Sequence, residues 1–208
     1  MKKAIIWDLD GTLFDSYDLI VGSIYQVFQE NKIMISMDSI RNHALQFSIK
    51  SLFGQVSQDY GVPTEFLNCR YGEISRGKYL EIKPMPNALT VLEQLQSWNI
   101  ENYVFTHRGM TTIPVLENLG MKDYFTEILT SQSGFARKPD PQALRYLIEK
   151  YGLEPADTFY VGDRSLDMEC AANAGVRGIL YIPDTSATQS VGTEAFRIED
   201  LTDILNII

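Results

Sequence analysis

The chain has 208 residues, 45% of them hydrophobic and 11% aromatic, with glycine and proline near average usage; this is the composition of an ordered globular protein able to bury a sizeable core, not of a disordered or fibrous one. A formal net charge of −9 and a pI near 4.7 offer no basic stripe, which argues against nucleic acid or an anionic membrane as partner and requires an anionic substrate to meet locally placed positive charge. Two cysteines, Cys69 and Cys170, are too few and too distant for a disulfide framework or a metal ligand set, and both read as buried packing thiols in a reducing cytosol.

The chain opens with Lys2-Lys3 and the apolar run Ala4-Ile5-Ile6-Trp7, which stops at Asp8, short of a secretion signal. No segment approaches membrane-spanning length, so the protein is expected to be soluble and cytoplasmic. The run reads as a strand that delivers Asp8-Leu9-Asp10-Gly11-Thr12. Side chains two apart on a strand point the same way, so Asp8 and Asp10 are expected on one face, with Gly11 turning the chain. Two close carboxylates repel, and a site that keeps them holds a cation or a proton between them.

Ile20, Ile24, Val27 and Phe28 predict a helix over 17–30, and weaker helical patterns cover 37–57 and 63–80. Tyr17, Tyr25 and Phe28 form an aromatic face on the first helix, expected in a core. His43 has no partner pattern of a ligand or base and reads as a surface or partly packed residue. Lys83-Pro84-Met85-Pro86 closes this helical stretch, and Asn87 is the candidate N-cap of a helix over 87–98.

Alternation follows: strand 102–106, helix 112–119 ended by Gly120, strand 126–130, helix 141–151, strand 158–161, helix 165–174 ended by Gly175, and strand 178–182. The polar tract from Pro183 to Glu194 reads as a surface loop, and 195–198 as a short strand before a C-terminal helix. The pattern is α/β: a doubly wound, Rossmann-like parallel sheet covered by helices on both faces. Its core comprises 1–15 and 84–208, with an α-helical insert at 16–83 set over the active end of the sheet.

Thr106, Lys138, Asp163 and Asp167 recur just past the C-terminal ends of predicted strands, where open α/β sheets bind ligands. Topology can therefore bring them to one crevice with Asp8 and Asp10. Taken singly, each has a plainer reading: Asp and Gly as turn chemistry, Asp163 and Asp167 as helix caps, Thr106 as a strand residue, Lys138 as a loop charge. Taken together, the four carboxylates outnumber the one lysine by three, so a divalent cation is required, and all-oxygen ligands suit magnesium.

These segments, in this order, resemble the motifs of the haloacid dehalogenase-like hydrolase superfamily, most closely its phosphoglycolate phosphatase-like branch with a helical cap. The resemblance spans nearly the whole chain and includes the Pro-x-Pro return to the core. It implies Asp8 as the nucleophile that forms an aspartyl-phosphate and Asp10 as general acid and base. It further implies Thr106 and Lys138 as binders of the phosphoryl group, and Mg2+ held by Asp8, Asp10 (through its carbonyl oxygen), Asp163 and Asp167. Relatives more often carry Asn or Ser after the threonine; here His107 and Arg108 follow, either to contact a second anionic group of the substrate or to form a polar loop touching the cap. In the insert, Arg41, Asn42 and Lys50 are candidates for reaching a polar leaving group, and Phe47 stands where relatives often have glycine.

The function implied is a magnesium-dependent phosphatase for a small phosphorylated metabolite, phosphoglycolate-like or a sugar phosphate, with the protein a monomer or homodimer. A phosphomutase of the same superfamily is the nearest alternative, although the insert shows no sugar-mutase signature. A dehalogenase, which attacks carbon without a metal, does not need Asp10. A noncatalytic phosphate-binding protein would be expected to have lost a nucleophile or a metal ligand, and none is lost.

Overall fold

The computed structural model of the protein describes residues 3–183 and 192–208; most of the tract from Pro183 to Glu194 lies outside the described residues. β1 (Ala4–Trp7) is buried along its whole length, which explains an unbroken apolar run in place of alternation. By contacts the chain divides into two compact units, Met1–Asp15 with Lys83–Ile208, and Ser16–Ile82. Within the first unit, β2 (Phe14–Asp15) pairs antiparallel with β3 (Lys83–Pro84), Asp15 opposite Lys83. Strands this short leave no periodicity to read, and the ribbon was not anticipated from the sequence.

The second unit is helical: α1 (Tyr17–Glu30), α2 (Met37–Gln46), α3 (Ile49–Tyr60) and α4 (Thr64–Lys78). Ile24, Val27, Phe28, Phe53 and Leu67 form its core, and Tyr25 packs at the rim. The pattern over 37–57 proves to be two helices. The chain is extended at Phe47, and Ser48 then caps α3 by accepting from the Ser51 N–H at 3.0 Å. His43 lies 5.0 Å from the Phe47 ring, centroid to centroid. Cys69 is exposed, contrary to the packing role expected of it, because α4 buries only Leu67 and Ile74, two turns apart on one narrow stripe.

The first unit continues with α5 (Ala88–Ser97), β4 (Glu101–Phe105), α6 (Thr112–Asn118), β5 (Phe125–Leu129), α7 (Gln142–Tyr151), β6 (Thr158–Gly162), α8 (Ser165–Ala174), β7 (Arg177–Tyr181), β8 (Phe196–Ile198) and α9 (Ile204–Ile207). The six-stranded sheet runs β5-β4-β1-β6-β7-β8, every pair parallel. Asn87 does not cap α5 with its side chain. It adopts a left-handed conformation, which asparagine tolerates, and its Nδ2 donates to Asp200 Oδ2 at 2.8 Å. Cys170 is buried, as read, with its Sγ donating to the Asp140 carbonyl at 3.3 Å. Among the described residues no helix is long and apolar enough to cross a membrane.

A buried side-chain hydrogen bond ties two central strands: the Trp7 Nε1–H donates to Asn102 Oδ1 at 2.9 Å, with both residues buried. Removing the acceptor leaves an indole N–H unsatisfied in the middle of the sheet. Asn102→Leu is therefore expected to destabilise the protein by about 1–3 kcal/mol, read as a lower urea midpoint with an unchanged slope.

Candidate active site

Strand order reverses between β1 and β6: the chain moves outward through β4 and β5 on one side, then through β7 and β8 on the other. The crevice beyond the strand ends at such a switch point is where open α/β sheets bind ligands. Asp8 follows β1, with its N–H donating to the Val161 carbonyl at 2.9 Å. Thr106 follows β4, its N–H bonded to the Leu129 carbonyl at 3.0 Å. Asp163 follows β6, Asp167 lies in the first turn of α8, and Lys138 lies in the connection from β5 to α7.

Lys138 is the hub. Its side chain is fully buried, and its Nζ lies 2.6 Å from Asp8 Oδ1 and 2.7 Å from Asp167 Oδ1, with the Phe105 and Tyr160 rings each 5.3 Å away. Burial opposes the ammonium charge, but Asp167 and then Asp8 outweigh it and hold Lys138 above the ordinary lysine range. The two carboxylates do not share that charge equally. Asp167 also has the Tyr160 hydroxyl at 3.1 Å on Oδ1 and the Arg164 N–H at 3.2 Å on Oδ2. For Asp167, burial is overcome by Lys138 and Arg164, and its carboxyl is held below the usual range. Asp8 has fewer compensations: burial raises it to about 6 against the pull of Lys138, with Asp167 adding repulsion.

The same geometry leaves room for a cation. Oxygens of Asp8, Asp163 and Asp167 lie within 4.8 Å of one another, all three residues buried. Asp8 Oδ2 is buried with no hydrogen-bond partner among the described residues, the condition in which a carboxylate oxygen is best satisfied by a hard cation. The carboxylate of Asp10 is not in this group. β1 ends at Trp7, so strand alternation no longer governs positions 8 and 10. The chain turns at Gly11, with φ of 83°, and the N–H groups of Thr12, Leu13 and Phe14 gather on the Leu9 carbonyl. Asp8 and Asp10 take different cations.

Asp10 is held by Arg108, whose Nη2 lies 2.6 Å from its Oδ1. His107 has another use: its Nε2 accepts the Lys138 backbone N–H at 3.0 Å, and its ring stands edge-on to Phe105. Burial first, then Lys138 and Arg137, push its pKa down to about 3, so the imidazole is neutral with Nε2 free to accept. Thr106 Oγ1 accepts the Arg108 N–H at 3.1 Å. The structure thus brings Asp8, Lys138, Asp163 and Asp167 into one buried cluster, with Thr106, His107, Arg108 and Asp10 forming a second layer of direct contacts beside it.

Three contributors had no sequence signal of their own. Tyr160 is one more residue of a strand run, and Arg164, whose Nε lies 4.0 Å from Asp163 Oδ1, carries no feature in the sequence that marks it. Gly162 is required by close approach: a Cβ there would stand 2.4 Å from the Asp167 Cβ. The charge deficit read from the sequence is also too large, because Arg108 and Arg164 stand beside Asp10 and Asp163 in addition to Lys138.

Residues 5–181 match the haloacid dehalogenase-like hydrolase family. Over 211 residues the chain is 26% identical to pyrophosphatase PpaX of Oceanobacillus iheyensis, covering 99% of this chain and 96% of that protein. It is 25% identical over 218 residues to the phosphoglycolate phosphatase of Vibrio parahaemolyticus, again covering 99% and 96%. The crystal structure of a "predicted phosphoglycolate phosphatase" from Haemophilus somnus superposes with a TM-score of 0.85 at 24% identity, covering 99% of this chain and 97% of that one.

Two alanine substitutions should move stability in opposite directions. Gly162→Ala must displace Asp167 and is expected to lower stability by about 1–3 kcal/mol, whereas Gly54→Ala, within α3 and with nothing within 4 Å of the new Cβ, should raise it by about 0.5–1 kcal/mol; urea melts of both variants check the contrast. His107 supplies a pH prediction. Its folded pKa of about 3 lies below the ordinary 6.5, so its contribution is complete above the unfolded value and is lost as pH falls from there toward the folded one. The melting temperature of the wild type should therefore fall more between pH 7.5 and 5.5 than that of His107→Asn, whose amide does not titrate.

Proposed function

The chain belongs to the haloacid dehalogenase-like hydrolase family, and from that premise we propose that it is a magnesium-dependent phosphatase of a small phosphorylated metabolite, working through an aspartyl-phosphate in the cytoplasm. In this reading residues 1–15 and 84–208 are the catalytic core and 16–83 the cap. The observation that carries it is Asp8: one carboxylate oxygen on the buried Lys138 ammonium at 2.6 Å, the other without a hydrogen-bond partner among the described residues. The names of two relatives, a pyrophosphatase and a phosphoglycolate phosphatase, favour phosphorus over carbon as the atom attacked.

Asp8 attacks phosphorus in line; an Asp8 O–P bond forms as the bond to the leaving oxygen breaks. Asp10, which takes up a proton from solvent as the substrate parts it from Arg108, gives that proton to the leaving oxygen, then takes one from the water that hydrolyses the aspartyl-phosphate and regenerates Asp8. Thr106 Oγ1 and the Lys138 ammonium bind the phosphoryl oxygens, and Lys138 keeps its hold on Asp8 throughout. Asp167 and the neutral His107 keep Lys138 in place, one through its side chain and the other through its backbone N–H. Asp8, Asp163 and the Asp10 carbonyl would hold Mg2+, with Asp167 orienting it. When bound, the ion supplies charge neutralisation for the phosphoryl group.

Incubation with phosphoglycolate, pyrophosphate, sugar phosphates, nucleoside monophosphates and an aryl phosphate should give phosphate release that requires Mg2+ and stops on chelation. Asp8→Asn is expected to lose on the order of 10³-fold or more in kcat. Isomerised sugar phosphate without phosphate release would replace this reading with the mutase. Silence across the panel together with an inert mutase assay would overturn both.

A further inference from the structure

Arg108 grips Asp10 with a fork: Nη2 lies 2.6 Å from Oδ1, and Nε lies 3.1 Å from Oδ1 and 3.2 Å from Oδ2. The guanidinium is fixed on other sides too. Its Nη1 donates to Thr111 Oγ1 at 3.1 Å, and its carbon lies 5.8 Å from the Phe14 ring centroid. The Arg108 and Asp10 side chains are only 10% and 22% exposed. A planar cation held this way recognises one chemistry, a pair of coplanar oxyanion oxygens. What it holds at rest is the carboxylate that the proposed reaction needs at the leaving oxygen.

We propose that Arg108 is the residue that selects the substrate, by accepting a second anionic group from the leaving-group side in exchange for the Asp10 carboxylate. The inference rests on the phosphatase reading and gives it a substrate class: small phosphate esters or anhydrides with a carboxylate or a second phosphoryl group close to the bridging oxygen. Chain proximity supports it. Asp8 and Asp10 are two residues apart, their Cα atoms at most about 7 Å from each other, so Arg108 holds the near neighbour of the residue that attacks phosphorus. Lys138 does not serve that second anion, because in this reading its ammonium is committed to Asp8, Asp167 and the transferred phosphoryl group.

Charge balance supports it as well. Exchange of one carboxylate for another keeps the half-enclosed guanidinium paired before and after binding. A neutral leaving group would have to part Arg108 from Asp10 and put nothing in its place, a loss the substrate's binding must make up.

The test compares two matched pairs: phosphoglycolate with its neutral amide, for the carboxylate source, and pyrophosphate with methyl phosphate, for the phosphoryl source. The ratio of kcat/KM for the anionic over the neutral member should be at least tenfold in one pair for the wild type. Arg108→Met should reduce that ratio at least tenfold, and the pair in which it collapses identifies the source. Arg108→Lys, which keeps the charge and loses the fork, should lie between, and serves alone if the methionine variant does not fold.

Affinity for the same four compounds, measured by calorimetry in Asp8→Asn with and without the Arg108 substitution, gives a readout free of turnover. An unchanged ratio and unchanged relative affinity, or no preference in the wild type, would overturn the role of Arg108 while leaving the phosphatase intact. If the wild type releases phosphate from none of the four but does so from a sugar phosphate or an aryl phosphate, the role of Arg108 is what fails; if it releases phosphate from no compound at all, the phosphatase reading fails and the calorimetric comparison decides Arg108 by itself.

Discussion

A single ammonium serves two buried carboxylates, and much of the site is arranged around that imbalance. Lys138 has no exposed side-chain surface and sits between Asp8 and Asp167 at hydrogen-bond distance from each. A buried charge is tolerated only when paired and hydrogen-bonded, so the lysine needs at least one of these carboxylates in its ionised form. Two carboxylates around one lysine leave an excess negative charge. The surroundings decide where it rests: Tyr160 and the Arg164 N–H settle Asp167, and Asp8 is left as the group whose ionisation burial disfavours.

The sheet makes this meeting possible. Asp8, Thr106 and Asp163 leave adjacent parallel strands in the order β4-β1-β6, so they emerge side by side at the edge where the winding reverses. Close packing does the rest. Asp167 can lie over the end of β6 because Gly162 has no Cβ to meet it, and the Lys138 loop is anchored to β4's own extension through His107. A proton on His107 Nε2 would break that anchor, and its low pKa is what burial beside Lys138, Arg137 and Arg164 produces.

What the sequence disclosed and what it hid divide along the range of the interactions. The parallel strands were legible because a strand buried on both faces must be an apolar run, and β1 is one. That Asp8, Lys138, Asp163 and Asp167 would meet was legible because order along the chain and position at strand ends fix where they arrive. Local competition was harder to read. Ser48 divides 37–57 by capping, Asn87 turns into a left-handed conformation to meet Asp200, and Cys69 falls outside a stripe that only Leu67 and Ile74 define. Ion-pair choice was hidden altogether: nothing near Asp10 in sequence announces that its partner lies 98 residues away, and the strand rule that would have set it beside Asp8 stops applying once β1 ends at Trp7.

That hidden pairing changes the electrostatic argument for a cation. Read from sequence, four carboxylates faced one lysine, and a metal was needed to neutralise the site as a whole. In the fold each of Arg108, Lys138 and Arg164 stands beside a carboxylate, so the deficit shrinks to a single negative charge. It is also localised. Asp10 is forked by a guanidinium and Asp167 is bonded on both oxygens, whereas Asp8 carries a buried oxygen with no hydrogen-bond partner among the described residues. A cation in this crevice would therefore act chiefly on Asp8, favouring its charged form in the place where burial alone would favour a proton. The electrostatic case for a cation thus rests on Asp8 and the carboxylates clustered with it, Asp163 and Asp167, rather than on the acidity of the site at large.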